Sequence, residues 1–203
     1  LHSFPTRRSS DLQLGFLKMK KLMAVLLVLS LLIGSAAVFA QAETKTEDEV
    51  VELNWADFED VIKNENWKGG FFSFDEVAVK FFVPEIFLPV ELDDEMREEG
   101  YIAFFMPEDE TAGIGVQYID AEIDDIDVYI EALKELGVTD VQKMTINGLT
   151  AVSYTNPDDE DVICLAMVTE KGYILEFVFS PISDEGFLAV SRIMVASIQE
   201  SED

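Results

Sequence analysis

The chain has 203 residues with 41 acidic and 14 basic side chains, a formal net charge of −27. That length suits one domain, or one domain with appendages, and the acidic surplus argues against nucleic acid and against anionic lipid, which need clustered Lys and Arg. Cys164 is the single cysteine, so an intramolecular disulfide and a thiolate metal cage are both excluded.

Residues 1–18 differ in character from the rest of the chain. The run from His2 to Leu12 resembles adapter sequence read through in one frame; the other reading is a basic N-terminal arm. His2 is the sole histidine, so without this segment the chain has no imidazole for a Ser–His or Cys–His pair or for a metal. Residues 19–42 carry the layout of a secretory signal peptide. Lys20 and Lys21 form the positive end, and Leu22 to Ile33 the apolar core, broken only by Ser30. Ala40 and Ala42 end two overlapping small-x-Ala cleavage options. An uncleaved anchor, which needs ~20 apolar residues, is the alternative, but the acidic stretch beyond Ala42 favours removal. Cutting after Ala40 would discard five basic residues and Asp11, leaving 9 basic against 40 acidic groups. The expected location is secreted or cell envelope, with no membrane attachment after cleavage.

Residues 43–49 are polar without apolar period and read as a flexible acidic leader; residues 50–203 read as a single domain. Asn54 is placed to cap a short helix from Trp55 to about Asn64, and Gly69-Gly70 then breaks the chain. Period-two alternation at Val77, Val79, Phe81 and Val83 predicts a strand ended by Pro84. The stretch to Gly100, with Pro89 and the acidic run Glu91–Glu99, reads as irregular. Tyr101–Met106 and Ile114–Ile119 predict a hairpin. Asn147-Gly148 is a stronger hairpin signal between Val141–Ile146 and Leu149–Tyr154, because a type I′ turn needs positive φ at both positions. Val162–Val168 and Tyr173–Phe179 make a third pair, turned at residues 170–172.

Two helices interrupt the strands. Ile126, Tyr129, Ile130 and Leu133 recur at i, i+3, i+4 and i+7, with Gly137 as the stop. The last helix is expected from Ser183, with Phe187, Val190, Met194 and Ile198 facing inward and Ser191 small enough for close approach. The order implies α+β: a mostly antiparallel sheet of about six strands with amphipathic helices packed on it.

This arrangement resembles the PsbP-like fold. The likeness rests on the strand Val77–Val83 into Pro84, the hairpin Ile146–Tyr154, and the segment Gly172–Phe179 followed by a helix and Ala196–Ile198. It spans about Val77 to Ile198. The resemblance implies an accessory or binding role, as in extrinsic photosystem proteins and a eukaryotic Ran-binding factor; that family shares no catalytic centre, so no functional residue carries over.

The acidic clusters have two readings each. Asp120, Glu122, Asp124 and Glu131 stand at the first, third, fifth and twelfth positions of a calcium loop, but Asp125 occupies the sixth, where that loop needs Gly; helix-start acids are the alternative. Asn156–Asp161 reads as a turn or a hydrated cation site, and Glu91–Glu99 has the same pair of readings. A carboxylate pair could support a hydrolase, although in so acidic a chain close pairs arise by chance. Cys164, in an apolar strand, reads as a buried thiol or an intermolecular disulfide partner. Trp55, Trp67, Phe71, Phe72, Phe74, Phe81, Phe82 and Phe87 supply core, or in part an exposed patch that meets a partner. The functional expectation is a non-catalytic exported binding or accessory protein without a cofactor. Its unknown partner, a protein or small-molecule ligand, should be basic or neutral. A divalent-cation binder and a carboxylate hydrolase are the alternatives.

Overall fold

A computed structural model of the chain describes residues 50–64, 67–169 and 172–201. The leader, the cleavage positions Ala40 and Ala42, and the tip of the third hairpin at residues 170–171 lie outside the described residues. In chain order the elements are β1 (Val51–Leu53), α1 (Ala56–Asn64), β2 (Gly69–Ser73), β3 (Val79–Pro84), β4 (Leu88–Pro89), α2 (Asp94–Glu98), β5 (Tyr101–Met106) and β6 (Gly113–Asp120). There follow α3 (Ile126–Glu135), β7 (Gln142–Ile146), β8 (Leu149–Thr155), β9 (Ile163–Val168), β10 (Tyr173–Ser180), α4 (Glu185–Ala196) and β11 (Gln199–Glu200).

The fold is α+β. The expected sheet of about six strands is an eight-stranded sheet, ordered β1-β7-β8-β9-β10-β6-β5-β4, accompanied by a second sheet of three strands, β11-β3-β2. Pairing is antiparallel except between β1 and β7. The extra strands are two to five residues long, too short for alternation to declare itself. The large sheet places Ile163, Leu165 and Met167 of β9 beside Phe179, Phe177 and Leu175 of β10 on one face. That inner face also carries Ile114, Val116, Met144 and Ile146, all fully buried.

Gly69-Gly70 was expected to break the chain, yet both residues belong to β2. A Cβ on Gly69 would stand 2.5 Å from the Phe82 ring and 2.5 Å from the Val83 carbonyl oxygen. Glycine is therefore demanded by close approach inside a strand. The stretch expected to be irregular holds α2, capped by Asp93, whose carboxylate accepts the Met96 N–H at 2.9 Å.

The hairpin at Asn147-Gly148 has φ of 48° and 87°, as a type I′ turn requires. α3 starts at Asp125, whose carboxylate accepts the Asp127 N–H, and Gly137 follows its end at φ 80°. The last helix begins two residues beyond Ser183: Asp184 is the cap, accepting the Phe187 N–H at 2.7 Å, while Ser183 bonds to Asp161. Phe187, Val190, Ser191 and Met194 are buried as expected; Ile198 is buried too, but beyond the helix end.

The first helix corrects a capping assignment. Asn54 turns its side chain to Glu52. The Trp55 N–H is instead accepted by Oδ1 of Asn147 at 2.7 Å, from 92 residues away. Nδ2 of Asn147 donates to the carbonyls of Ala196 and Ile198 at 2.8 and 2.7 Å. One side chain at a hairpin tip thus joins the start of one helix to the end of another.

Candidate functional site

Two places in the fold depart from routine packing. One is interior. In β10, Ile174, Glu176 and Val178 face away from Leu175, Phe177 and Phe179, and α3 covers part of that outer face through Ile130 and Leu133. Glu176 is 8% exposed, the one charged residue buried among the described residues. Tyr154 of β8 reaches across β9, where Ala166 leaves room, and donates its hydroxyl hydrogen to Oε1 of Glu176. The Tyr129 hydroxyl of α3 stands 3.1 Å from that of Tyr154. With Tyr154 donating to the carboxylate, Tyr129 is the donor in this second bond.

Burial sets the electrostatics. Desolvation holds the Glu176 carboxyl above its ordinary value of 4.5, against the opposing pull of the Tyr154 hydrogen bond. Burial and then the Glu176 charge push Tyr129 up to about 12 and Tyr154 higher still. The Cys164 thiol, on β9 beside Tyr154, is raised to about 12 by the same two causes. Its thiolate is not populated near neutral pH, so this buried cysteine is chemically quiet. Sequence reasoning passed over Glu176, though a signal was present: it is the one acid within the apolar run of β10, at the parity of Ile174 and Val178.

A pH dependence follows. Because the folded value lies above the unfolded one, the contribution of Glu176 is fully present below the ordinary value of 4.5 and is lost as pH rises through the folded value. Glu176→Gln cannot ionise and escapes this loss. Melting curves should show the variant matching the parent near pH 4 and exceeding it at pH 8. Equal melting temperatures at both pH values would contradict the assignment.

The second place is at the surface. β2 is exposed along its whole length, and Phe71 and Phe72 keep 43% and 36% of their surface in water. Their rings are nonetheless held. Phe71 meets Trp55 edge-on at 5.6 Å and Phe82 at 6.0 Å, with Lys80 Nζ 5.6 Å from its centroid. Phe72, on the opposite face of the strand, meets Phe105 at 5.1 Å and Phe74 at 5.3 Å. The early aromatics therefore divide: Phe74, Phe81, Phe82 and Phe87 are core, whereas Phe71 and Phe72 are half-solvated anchors.

Several of the acidic candidates have local roles in the backbone. Asp125 caps α3, and Asp120 ends β6. In the 156–161 loop, Asn156 and Asp159 accept backbone N–H groups two residues on, and the Asp161 carboxylate accepts both the N–H and the hydroxyl of Ser183. Among the described residues no group of three His, Cys, Asp or Glu side chains is arranged to hold a metal, and no helix is long and apolar enough to cross a membrane. A surface groove of about 310 Å³ between α3 and β7 is lined by Asp127, Glu131, Lys134 and Lys143, which pair with one another.

No protein-family model matches the chain, and no curated protein does. Among solved structures, the chain is similar to cyanobacterial PsbP from Synechocystis, with 12% identity and a TM-score of 0.47 over 65% of this chain and 92% of that one. It is also similar to a Ran-binding protein of Saccharomyces cerevisiae, with 15% identity and a TM-score of 0.38 over 67% and 97%.

Proposed function

We propose that this chain is an exported, non-catalytic binding or accessory protein, released after Ala40 or Ala42, whose contact surface is the aromatic edge formed by Trp55, Phe71 and Phe72. The observation that carries the reading is the pair of immobilised, half-exposed phenylalanines on a strand at the edge of its sheet. Rigid aromatics that keep water-exposed area are the usual anchors of protein contacts, because little entropy is lost when they are covered. The partner is basic or neutral: in a chain of 41 acids and 14 bases an acidic partner meets long-range repulsion. A hydrolase reading needs two acids converging in one cleft, and Glu176 is buried among tyrosines and a thiol.

Phe71→Ala tests the reading. Truncating an anchor at the centre of a contact costs ~2 kcal/mol or more of binding, about thirty-fold in Kd. Thermal stability should fall only modestly, since the ring is not core. Intact-mass analysis of the secreted product should begin at Gln41 or Glu43; a product retaining the apolar segment in the membrane fraction would contradict export and release.

A further inference from the structure

The backbone groups along the open edge of β2 have a defined phase. The Phe82 N–H donates to the Ser197 hydroxyl at 2.7 Å, on the β11 side of β3, and the Ala78 carbonyl accepts from Ser201 on that same side. In an antiparallel strand successive residues turn their backbone polar groups to opposite sides. Phe81 and Val83 therefore face β2, and their partners in register are Phe72 and Gly70. The Glu85 N–H donates to the Lys68 carbonyl at 2.9 Å, in the same phase. Gly69, Phe71 and Ser73 consequently turn their N–H and C=O groups outward, where no described strand pairs with them.

Such an edge is normally blunted by charge, proline or brevity. The large sheet follows that practice: its edge strands are three and two residues long, and β4 contains Pro89. β2 has five residues, Gly-Gly-Phe-Phe-Ser, with neither charge nor proline. The surrounding charge selects what could pair there. Lys63 is tied to Glu59, Lys68 to Glu85, and Lys80 lies over the Phe71 ring. Asp57 and Asp60 of α1, and Asp75 and Glu76 just past β2, make no ion pair among the described residues. Lys80 keeps its charge, so one unpaired lysine stands against these four unpaired acids flanking β2 in sequence, and the balance is negative.

We propose that β2 binds an extended segment of a basic partner by strand addition. Its backbone pairs with Gly69, Phe71 and Ser73, apolar residues lie beside Phe71 and Phe72 on the two faces, and Lys or Arg flank them. A second copy of this chain would bring the same acids against each other and is disfavoured. This inference rests on the aromatic-edge reading above and adds its mode and its partner chemistry.

The probe is an acetylated, amidated heptapeptide of three central valines with two lysines on each side, measured against the full secreted chain. Two further versions carry N-methyl groups on alternate residues, one in each phase. In strand addition, methyls in one phase project into the protein and those in the other into water. One version should lose at least ten-fold in affinity and the other should bind like the parent peptide. Ser73→Pro removes an outward N–H without breaking a bond to β3, so melting temperature should hold while binding falls at least ten-fold. Glutamates in place of the lysines should abolish binding, and added salt should weaken it.

Equal binding by both methylated phases, with Phe71→Ala losing affinity and Ser73→Pro keeping it, would overturn strand addition and leave the aromatic contact standing. Binding untouched by Phe71→Ala would overturn both. Self-association that grows with salt and disappears in Ser73→Pro, without affinity for the peptide, would assign the edge to a second copy and overturn the proposal.

Discussion

Phe81→Ala is expected to cost ~3–5 kcal/mol of folding stability, the range for emptying a large aromatic site in a closed core. Phe81 is fully buried. It belongs to the small sheet, yet its ring meets Phe105 and Phe177 of the large sheet at 5.8 and 5.2 Å, as well as Phe74 at 5.8 Å. Removing it opens a void at the junction of the two sheets, where the neighbouring rings are held by their own strands and cannot collapse inward. For a domain of this size each kcal/mol lowers Tm by about 2–4 °C, so calorimetry should show a drop on the order of 10 °C. Phe71→Ala, in the same sheet but half-solvated, should lose far less. Equal losses at the two positions would contradict the division into core and contact aromatics.

Asn147→Ala is the second large effect. The side chain makes three hydrogen bonds to backbone groups of separate segments: one accepted from Trp55 and two donated, to Ala196 and Ile198. Each is worth about 1 kcal/mol net, and orphaning a partly buried partner adds to that. Alanine also tolerates the φ of 48° at this position less well than asparagine does. A loss of about 2–4 kcal/mol is expected. Asn147→Gly separates the two causes: it relieves the backbone but restores no bond, so it should recover only the conformational part. Asn147→Asp keeps the acceptor for Trp55 and turns a carboxylate oxygen toward two carbonyls, so it should be no better than alanine. Denaturant unfolding of the three variants measures this directly.

Asn147 also shows where sequence reading stops. The Asn-Gly pair declares a type I′ turn through local chemistry, and the turn is there. Nothing local announces that the same amide reaches residues 92 positions earlier and about 50 later. The amphipathic helices were legible because Ile130, Leu133, Val190 and Met194 recur at helical spacing. β1 and β4 were not, because two or three residues carry no period. Gly69 misled for a physical reason: glycine in a strand signals a break as readily as close approach, and only the Phe82 ring above it decides between them.

The candidate site was half legible. Concentrated aromatics at Trp55, Phe71 and Phe72 mark the segment that holds the two half-exposed rings. Their division into buried and exposed rings depends on which strand lies at the edge of the small sheet, a property of pairing that composition does not encode. Glu176 carried a readable signal as an acid within an apolar strand. Its burial comes from α3 covering that face, which depends on how the tertiary elements pack.

The proposed contact surface is tested most directly in the producing cell, by replacing Phe71 with a photoreactive benzoyl-phenylalanine and, in a second strain, placing the same group at Leu136, the 78%-exposed residue beyond α3. Illumination should give discrete covalent adducts from position 71 and none from position 136, and illumination at high salt should give fewer of them. Adducts from position 136 alone, or identical patterns from both positions, would contradict the assignment of the β2 edge as the surface through which this protein works.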